Sequence, residues 1–424
     1  MESQARTPHG DAAAIRHGRG RFTCIAAAYG LGVFNDNFFK QTALLLAVVA
    51  RCNSMQGFAL AAFTLPFILF AAPAGWMSDR FPKSRVVVGA KCCELVAMLA
   101  GAAGVCLGQW WLIFTMLTIM GLQATFFSPA LNGSLPESYP EWYIPRANGI
   151  LRMLVNISIL SGIAMAGVAL GVKGEWLGIK AGRWVVAVAV VVVSAVGLLV
   201  SLGVPKHPAA NPTAKFPWHG PVKTVRDLIA TRQDRLLMMS IIVNVFVWFL
   251  GSAEILIINT LGIQQFHLTE LATSGLIVSQ LMGIGLGGLL VMHRVEARRW
   301  YRVLPVAGLC MGLTMVVIQA VPLFAAPVRV YALFALMFSV GLTAGIILIP
   351  IESFLQIRPA PAQKGAVLSA VNFVVFAGVL LSSLIANVLN AYLTPTTAFG
   401  VLGVIGTIVC TWVAWVFRDW KDTP

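Results

Sequence analysis

The chain reads as an all-α membrane protein of twelve transmembrane helices in two six-helix bundles. Three observations predict this. Of its 424 residues, 58% are hydrophobic and 11% charged, against about 25% charged in soluble domains. The apolar stretches run for roughly 20 residues without alternating at period two, which selects helices over a barrel of alternating strands. A long polar segment near the middle then divides twelve such stretches into six and six.

Taken in order, the expected spans are 22–50, 55–77, 86–107, 110–132, 147–171 and 184–204, then 236–263, 271–292, 303–321, 329–351, 366–390 and 396–417. The expected organisation is a cytoplasmic tail 1–21, a first bundle 22–204, a linker 205–235, a second bundle 236–417 and a cytoplasmic tail 418–424. An even number of spans puts both termini on one side. If that side is the cytoplasm, its segments hold 22 of the 30 Lys and Arg and the opposite side five: Arg51, Lys173, Lys180, Arg183 and Arg329. That bias is the positive-inside pattern. The net charge of +14 is therefore a topology signal, with some attraction to membrane lipid headgroups, and does not imply a nucleic-acid partner. No small-residue cleavage site follows the first apolar run, so no cleavable signal peptide is expected.

The linker carries Pro205, Pro208, Pro212, Pro217 and Pro221, a density that predicts irregular backbone in its first half. Its second half places Val222, Val225, Leu228 and Ile229 on one side of a helix, which predicts an amphipathic helix on the membrane surface. Two halves joined this way match a transporter that holds its substrate near the midplane between repeats. Gly283, Gly285, Gly287 and Gly288, like Gly162 and Gly167, lie inside spans and are read as packing positions.

The first span contains the densest anomaly: Asn35, Asp36, Asn37 and Lys40 within 22–50. Ionisable groups inside a bilayer usually face a bundle interior or a watered cavity, so this cluster marks a translocation path or an interhelix hydrogen-bond knot. Asp36 and Lys40 are four apart and can pair on one helix face. Unpaired, Asp36 is a site for a headgroup, a proton or Na+. Arg152 with Asn156, Glu254 and Asn372 are the other candidate cavity residues, while Lys91 and Glu94, three apart, suit a local pair. Arg suits phosphate because its fork donates two parallel hydrogen bonds. Glu352 and Gln356 end the tenth span as gate or boundary residues.

The loop after the second span reads Gly75-Trp76-Met77-Ser78-Asp79-Arg80-Phe81-Pro82-Lys83-Ser84-Arg85. It resembles the G-x-x-x-D-R-x-G-R-[KR] signature of the major facilitator superfamily, with Pro82 at the second glycine. The resemblance implies a gating role for Gly75, Asp79, Arg80, Lys83 and Arg85, the aspartate capping a helix end and pairing with arginine. The corresponding loop from His293 to Arg299 keeps basic charge without the motif.

Within that superfamily, Phe34-Asn35-Asp36-Asn37, Phe127-Ser128-Pro129-Ala130, Arg146-Ala147-Asn148-Gly149 and the run from Ile349 to Gln356 resemble the lysophospholipid transporter (LplT) family in order and spacing. This implies lysophospholipid moved across the bacterial inner membrane, with a separate acyltransferase as partner. Leu131, Arg152 and Glu254 depart from that family's usual charges, which bears on the headgroup accepted. The implied acyl-chain walls include Phe38, Phe39, Phe126, Phe127 and Phe249.

The seven cysteines form no C-x-x-C and read as packing residues. No triad, H-E-x-x-H or phosphate-cradling glycine loop occurs, so no enzyme and no cofactor are expected beyond a coupling ion, H+ or Na+. The alternatives are a proton-coupled transporter of a small soluble metabolite, drug or siderophore, and a non-transporting sensor or scaffold whose polar cluster is self-paired.

Overall fold

The computed structural model describes residues 8–138, 144–204, 208–209, 211–218, 220–294, 301, 303–359 and 364–417. A helix stands at each expected span: α1 (Pro8–Val49), α2 (Ser54–Arg80), α3 (Lys83–Leu107), α4 (Trp110–Ser138), α5 (Ile144–Leu170), α6 (Ala181–Ser201), α8 (Arg235–Thr260), α9 (Glu270–Arg294), α10 (Leu304–Ile318), α11 (Ala326–Ile357), α12 (Lys364–Tyr392) and α13 (Pro395–Phe417). Among the described residues, ten of these are long and apolar enough to cross a membrane. Outside that count are α10, with 15 residues, and α1, which carries the polar cluster.

Several boundaries differ from expectation: α4 runs to Ser138 against 132 and α11 to Ile357 against 351. Helix α1 starts at Pro8, so the polar segment before residue 22 continues the helix outward; proline is favoured at a first helical position. Helix α9 extends to Arg294, past the expected loop start at His293. Expectations on residues 1–7, 205–207, 210, 219, 295–300 and 418–424, and on the side chains of Arg146 and Asn148, lie outside the described residues. In the linker, 211–218 is non-helical, and α7 (Gly220–Ala230) forms the amphipathic helix, with Val222, Val225 and Ile229 exposed. A short hairpin, β1 (Glu175–Trp176) with β2 (Ile179–Lys180), precedes α6.

The chain divides into two compact units, Met1–Thr42 with Ala62–Gly220 and Ala43–Ala61 with Pro221–Pro424. In the first, α3 packs on α4 and α6, and α5 on α6. A cluster of Ile25, Val86, Val87, Phe127 and Leu131 fills one part of its core. Here the linker also folds back: Trp76 Nε1 donates to the Ala214 carbonyl at 3.0 Å and Asn211 N–H to the Asp79 carbonyl at 2.8 Å. The carboxylate of Asp79 is exposed, and α3 is preceded by Pro82 with no side-chain cap.

In the second unit α9 packs on α11, α10 on α13 and α11, and α12 on α8. Gly283 and Gly287 of α9 face Gly341 and Gly345 of α11, both pairs spaced by four. A Cβ at Gly341 would meet the Gln280 carbonyl oxygen, and one at Gly283 the Phe338 carbonyl oxygen. Small residues at this spacing let membrane helices pack backbone to backbone. Gly285, turned away, meets nothing.

The outer end of α1 and the start of α2 belong to this second unit because hydrogen bonds hold them there. Gln56 donates to Thr260 at 3.0 Å. Asn53 and Gln264 exchange two bonds at 3.0 and 2.8 Å, and Gln264 also donates to the Val48 carbonyl at 3.0 Å. Asn387 donates to the Ser54 carbonyl at 3.1 Å. Gln264 lies in a π-helical turn, Leu261–Gln265, that ends α8; such turns re-aim side chains out of regular helical register.

Candidate transport site

Asn35, Asp36 and Asn37 of the α1 cluster are consecutive, so helical geometry points them about 100° apart. Asn35 is buried and donates from Nδ2 to the Val190 carbonyl of α6 at 3.1 Å. Asn37 donates to Val33 of its own helix at 2.8 Å. Both amide nitrogens are thus tied to backbone, while Asn35 Oδ1 is buried without a hydrogen-bond partner. Asp36 alone lines a cavity of about 190 Å³ in the first unit, with Tyr29, Phe63, Lys91, Gln123 and Ser128 among its walls. Its Oδ1 is buried and accepts no hydrogen bond.

Asp36 and Lys40 do not form an ion pair in the structure. The Lys40 ammonium lies over the Phe63 ring, 4.9 Å from its centroid, a contact that substitutes a quadrupole for a carboxylate. The cavity cation that forms an ion pair is Lys91. Its Nζ is 2.6 Å from Glu94 Oε2, and the two residues are 1% and 0% exposed. The same ammonium sits 5.4 Å from the Phe127 centroid, and a Cβ at Gly32 would collide with it. Gly32 therefore makes the space in α1 into which Lys91 reaches. Tyr29 stacks on Phe127 at 5.8 Å. The result is a cavity offering an unpartnered carboxylate oxygen, an ammonium and aromatic faces: donors for phosphate, an acceptor for an amine, and apolar surface.

Arg152 and Asn156 lie exposed on one face of α5. Arg152 is within electrostatic range of Tyr29. Glu254 and Asn372 belong to the second unit: Asn372 is exposed on α12, while Glu254 is 2% exposed and accepts from Gln280 of α9. Of the gating candidates, Gly75, Arg80, Glu352 and Gln356 are half-buried, Lys83 is buried, and Asp79 and Arg85 are exposed. Arg358 Nε bonds Asp234 Oδ2 at 2.7 Å beside the run from Ile349 to Gln356. Sequence reasoning passed over Tyr29, Gln123 and Gln280. Tyr29 sits seven residues before Asp36, two turns along the same face, and Gln123 and Gln280 are isolated amides in apolar spans; those were the available signals.

A lysophospholipid transporter LplT of Serratia proteamaculans (strain 568) is 26% identical over 344 residues, covering 79% of each chain. That of Citrobacter koseri is 27% identical over 355 residues, covering 80% of each. The Salmonella enteritidis protein of the same name reaches 34% over 200 residues, 46% of this chain and 45% of its own. Among solved structures, a D-xylose-proton symporter superposes with a TM-score of 0.71 at 16% identity, covering 95% of this chain and 97% of that one. A nucleoside transporter, NupG, superposes at 0.67 and 13%, covering 94% and 99%. These structural likenesses speak for the fold. The model of the Major Facilitator Superfamily matches residues 52–383, and with ten helices among the described residues long and apolar enough to cross a membrane the chain belongs to that superfamily as a multi-pass membrane transporter.

Proposed function

We propose that this protein carries lysophospholipid across a bacterial inner membrane by alternating access, with both termini in the cytoplasm. The likeness to transporters named for that cargo over about four fifths of both chains supports it. The observation that carries the reading is the Asp36 cavity, where carboxylate and ammonium line one small space with aromatic walls. A phosphate-bearing headgroup meets Lys91 by charge-assisted hydrogen bonding, and an amine on that headgroup meets the unpartnered Asp36 oxygen. An acyl chain requires no hydrogen bonds and lies along apolar surface. Asp36 is also the group offered to a coupling ion, H+ or Na+. The acyltransferase that re-esterifies the product is a separate partner in this reading.

The test is flux in proteoliposomes loaded with labelled lysophosphatidylethanolamine or lysophosphatidylglycerol, beside a short-chain phosphodiester without an acyl tail. Protein-dependent movement of a lysolipid, and not of the tailless compound, is expected. Movement of the tailless solute alone would favour the soluble-metabolite alternative.

A further inference from the structure

We propose that the second unit holds a resident anionic phospholipid, one acyl chain seated in a groove between α8 and α12 and its phosphate on the arginines beside α7. The groove has a volume of about 470 Å³, and every residue lining it is apolar or glycine. On α8 the lining positions include Met238, Ile242, Val245 and Phe249, a spacing of three and four that marks one helix face. From Met238 to Phe249 the rise is about 16 Å at 1.5 Å per residue. On α12 the floor is Gly378, where a Cβ would press on Val245. A slot with no polar atom suits neither a peptide backbone, which needs hydrogen bonds, nor water; hydrocarbon fills it without penalty.

The end of the groove is what separates a specific lipid from bulk lipid. Leu228 of α7 closes it, while Val222, Val225 and Ile229 of the same helix stand exposed. An amphipathic helix with an exposed apolar face lies in the plane of the membrane interface, so this end is at headgroup depth. Arg235 precedes Met238 by one turn on the groove face of α8, and Arg232 lies in the turn before it. Both are exposed. Asp234, between the two arginines in sequence, is already engaged: it accepts from the Leu237 N–H at 3.0 Å and pairs with Arg358 at 2.7 Å. Two exposed guanidinium groups at headgroup depth beside the end of a hydrocarbon slot are complementary to a lipid phosphate. The site lies in the second unit, apart from the Asp36 cavity of the first, and does not depend on what the protein transports.

Native mass spectrometry of the delipidated full chain, titrated with phosphatidylglycerol, phosphatidylcholine or lysophosphatidylglycerol, tests this. One phosphatidylglycerol is expected to survive activation that strips phosphatidylcholine. Replacing both Arg232→Gln and Arg235→Gln is expected to weaken that binding roughly thirtyfold, from two basic contacts at the membrane surface. Gly378→Leu, filling the slot, is expected to remove retention of the lipid; if that variant does not fold, the arginine pair decides. Equal retention of phosphatidylglycerol and phosphatidylcholine, or undiminished binding by the arginine variant, would overturn the proposal. Displacement by lysophosphatidylglycerol at equal concentration would also overturn it, since the groove would then be a cargo site. Failure of lysolipid flux in the proteoliposome assay leaves these outcomes unchanged, so the two readings fail separately.

Discussion

The two units bury polar groups of different kinds. The first buries charge: the Lys91–Glu94 pair, the Asp36 oxygen and Lys40 over Phe63. The second pairs amides and hydroxyls, Asn53 with Gln264, Gln56 with Thr260 and Gln265 with Thr396; among the described residues its one buried carboxylate, Glu254, is held by an amide, Gln280. Neutral networks need only their partners to be satisfied, and they fix shape. Buried charges carry a large desolvation cost, which is why inside membranes they mark substrate and ion pathways. In the proposed function the chemistry lies in the first unit, while hydrogen bonds of the second hold the end of α1 and the start of α2.

The largest effect that would break this contrast is at Lys91. Lys91→Ala leaves Glu94 buried without its cation, and stability should fall by about 3–5 kcal/mol. Chemical unfolding in detergent measures it, and the double variant with Glu94→Ala should recover much of the loss. A neutral single variant would mean the charges are solvated and not structural. In the second unit shape should dominate. Gly341→Leu drives side-chain atoms into the Gln280 carbonyl oxygen of α9, an overpacking of roughly 1–3 kcal/mol. Gly285→Ala, which meets nothing, should hold or raise the melting temperature, since alanine favours helix over glycine by about 1 kcal/mol.

Gln264→Leu removes the exchange with Asn53 and the bond to Val48. The expected cost is about 1–3 kcal/mol from groups left unpaired, localised: amide hydrogen exchange should quicken over residues 48–56 and stay unchanged in α3. The smallest expected effect is Lys40→Met, which keeps the alkyl contact with Phe63 and loses the cation–π term of about 0.5–2 kcal/mol. A large loss of stability there would indicate that Lys40 neutralises Asp36 after all.

The helices were legible because each is a long, mainly apolar run, and the amphipathic α7 because its valines recur at helical spacing. The site was legible only in part. Asp36 stood out as a charge in an apolar span, yet nothing local separates it from Asn35 and Asn37; their roles depend on which helix each one faces, and α6 supplies Asn35's acceptor 155 residues away. Spacing favoured an Asp36–Lys40 pair, and the Phe63 ring, brought by another helix, captured the lysine instead. Gln280 was hidden for the same reason, since its meaning comes from Glu254 on a different helix. The grouping of Ala43–Ala61 with the second unit runs against chain order and follows from hydrogen bonds that no local pattern encodes.

The central claim is that Asp36, and neither neighbouring amide, is the working group of the α1 cluster. Lysolipid flux in proteoliposomes should be compared for the wild type, Asp36→Asn and Asn37→Ala, each shown to be monodisperse and equally stable. The account predicts a loss of about tenfold or more for Asp36→Asn, the scale of one charge-assisted contact, with Asn37→Ala close to wild type. Wild-type flux in Asp36→Asn would contradict it.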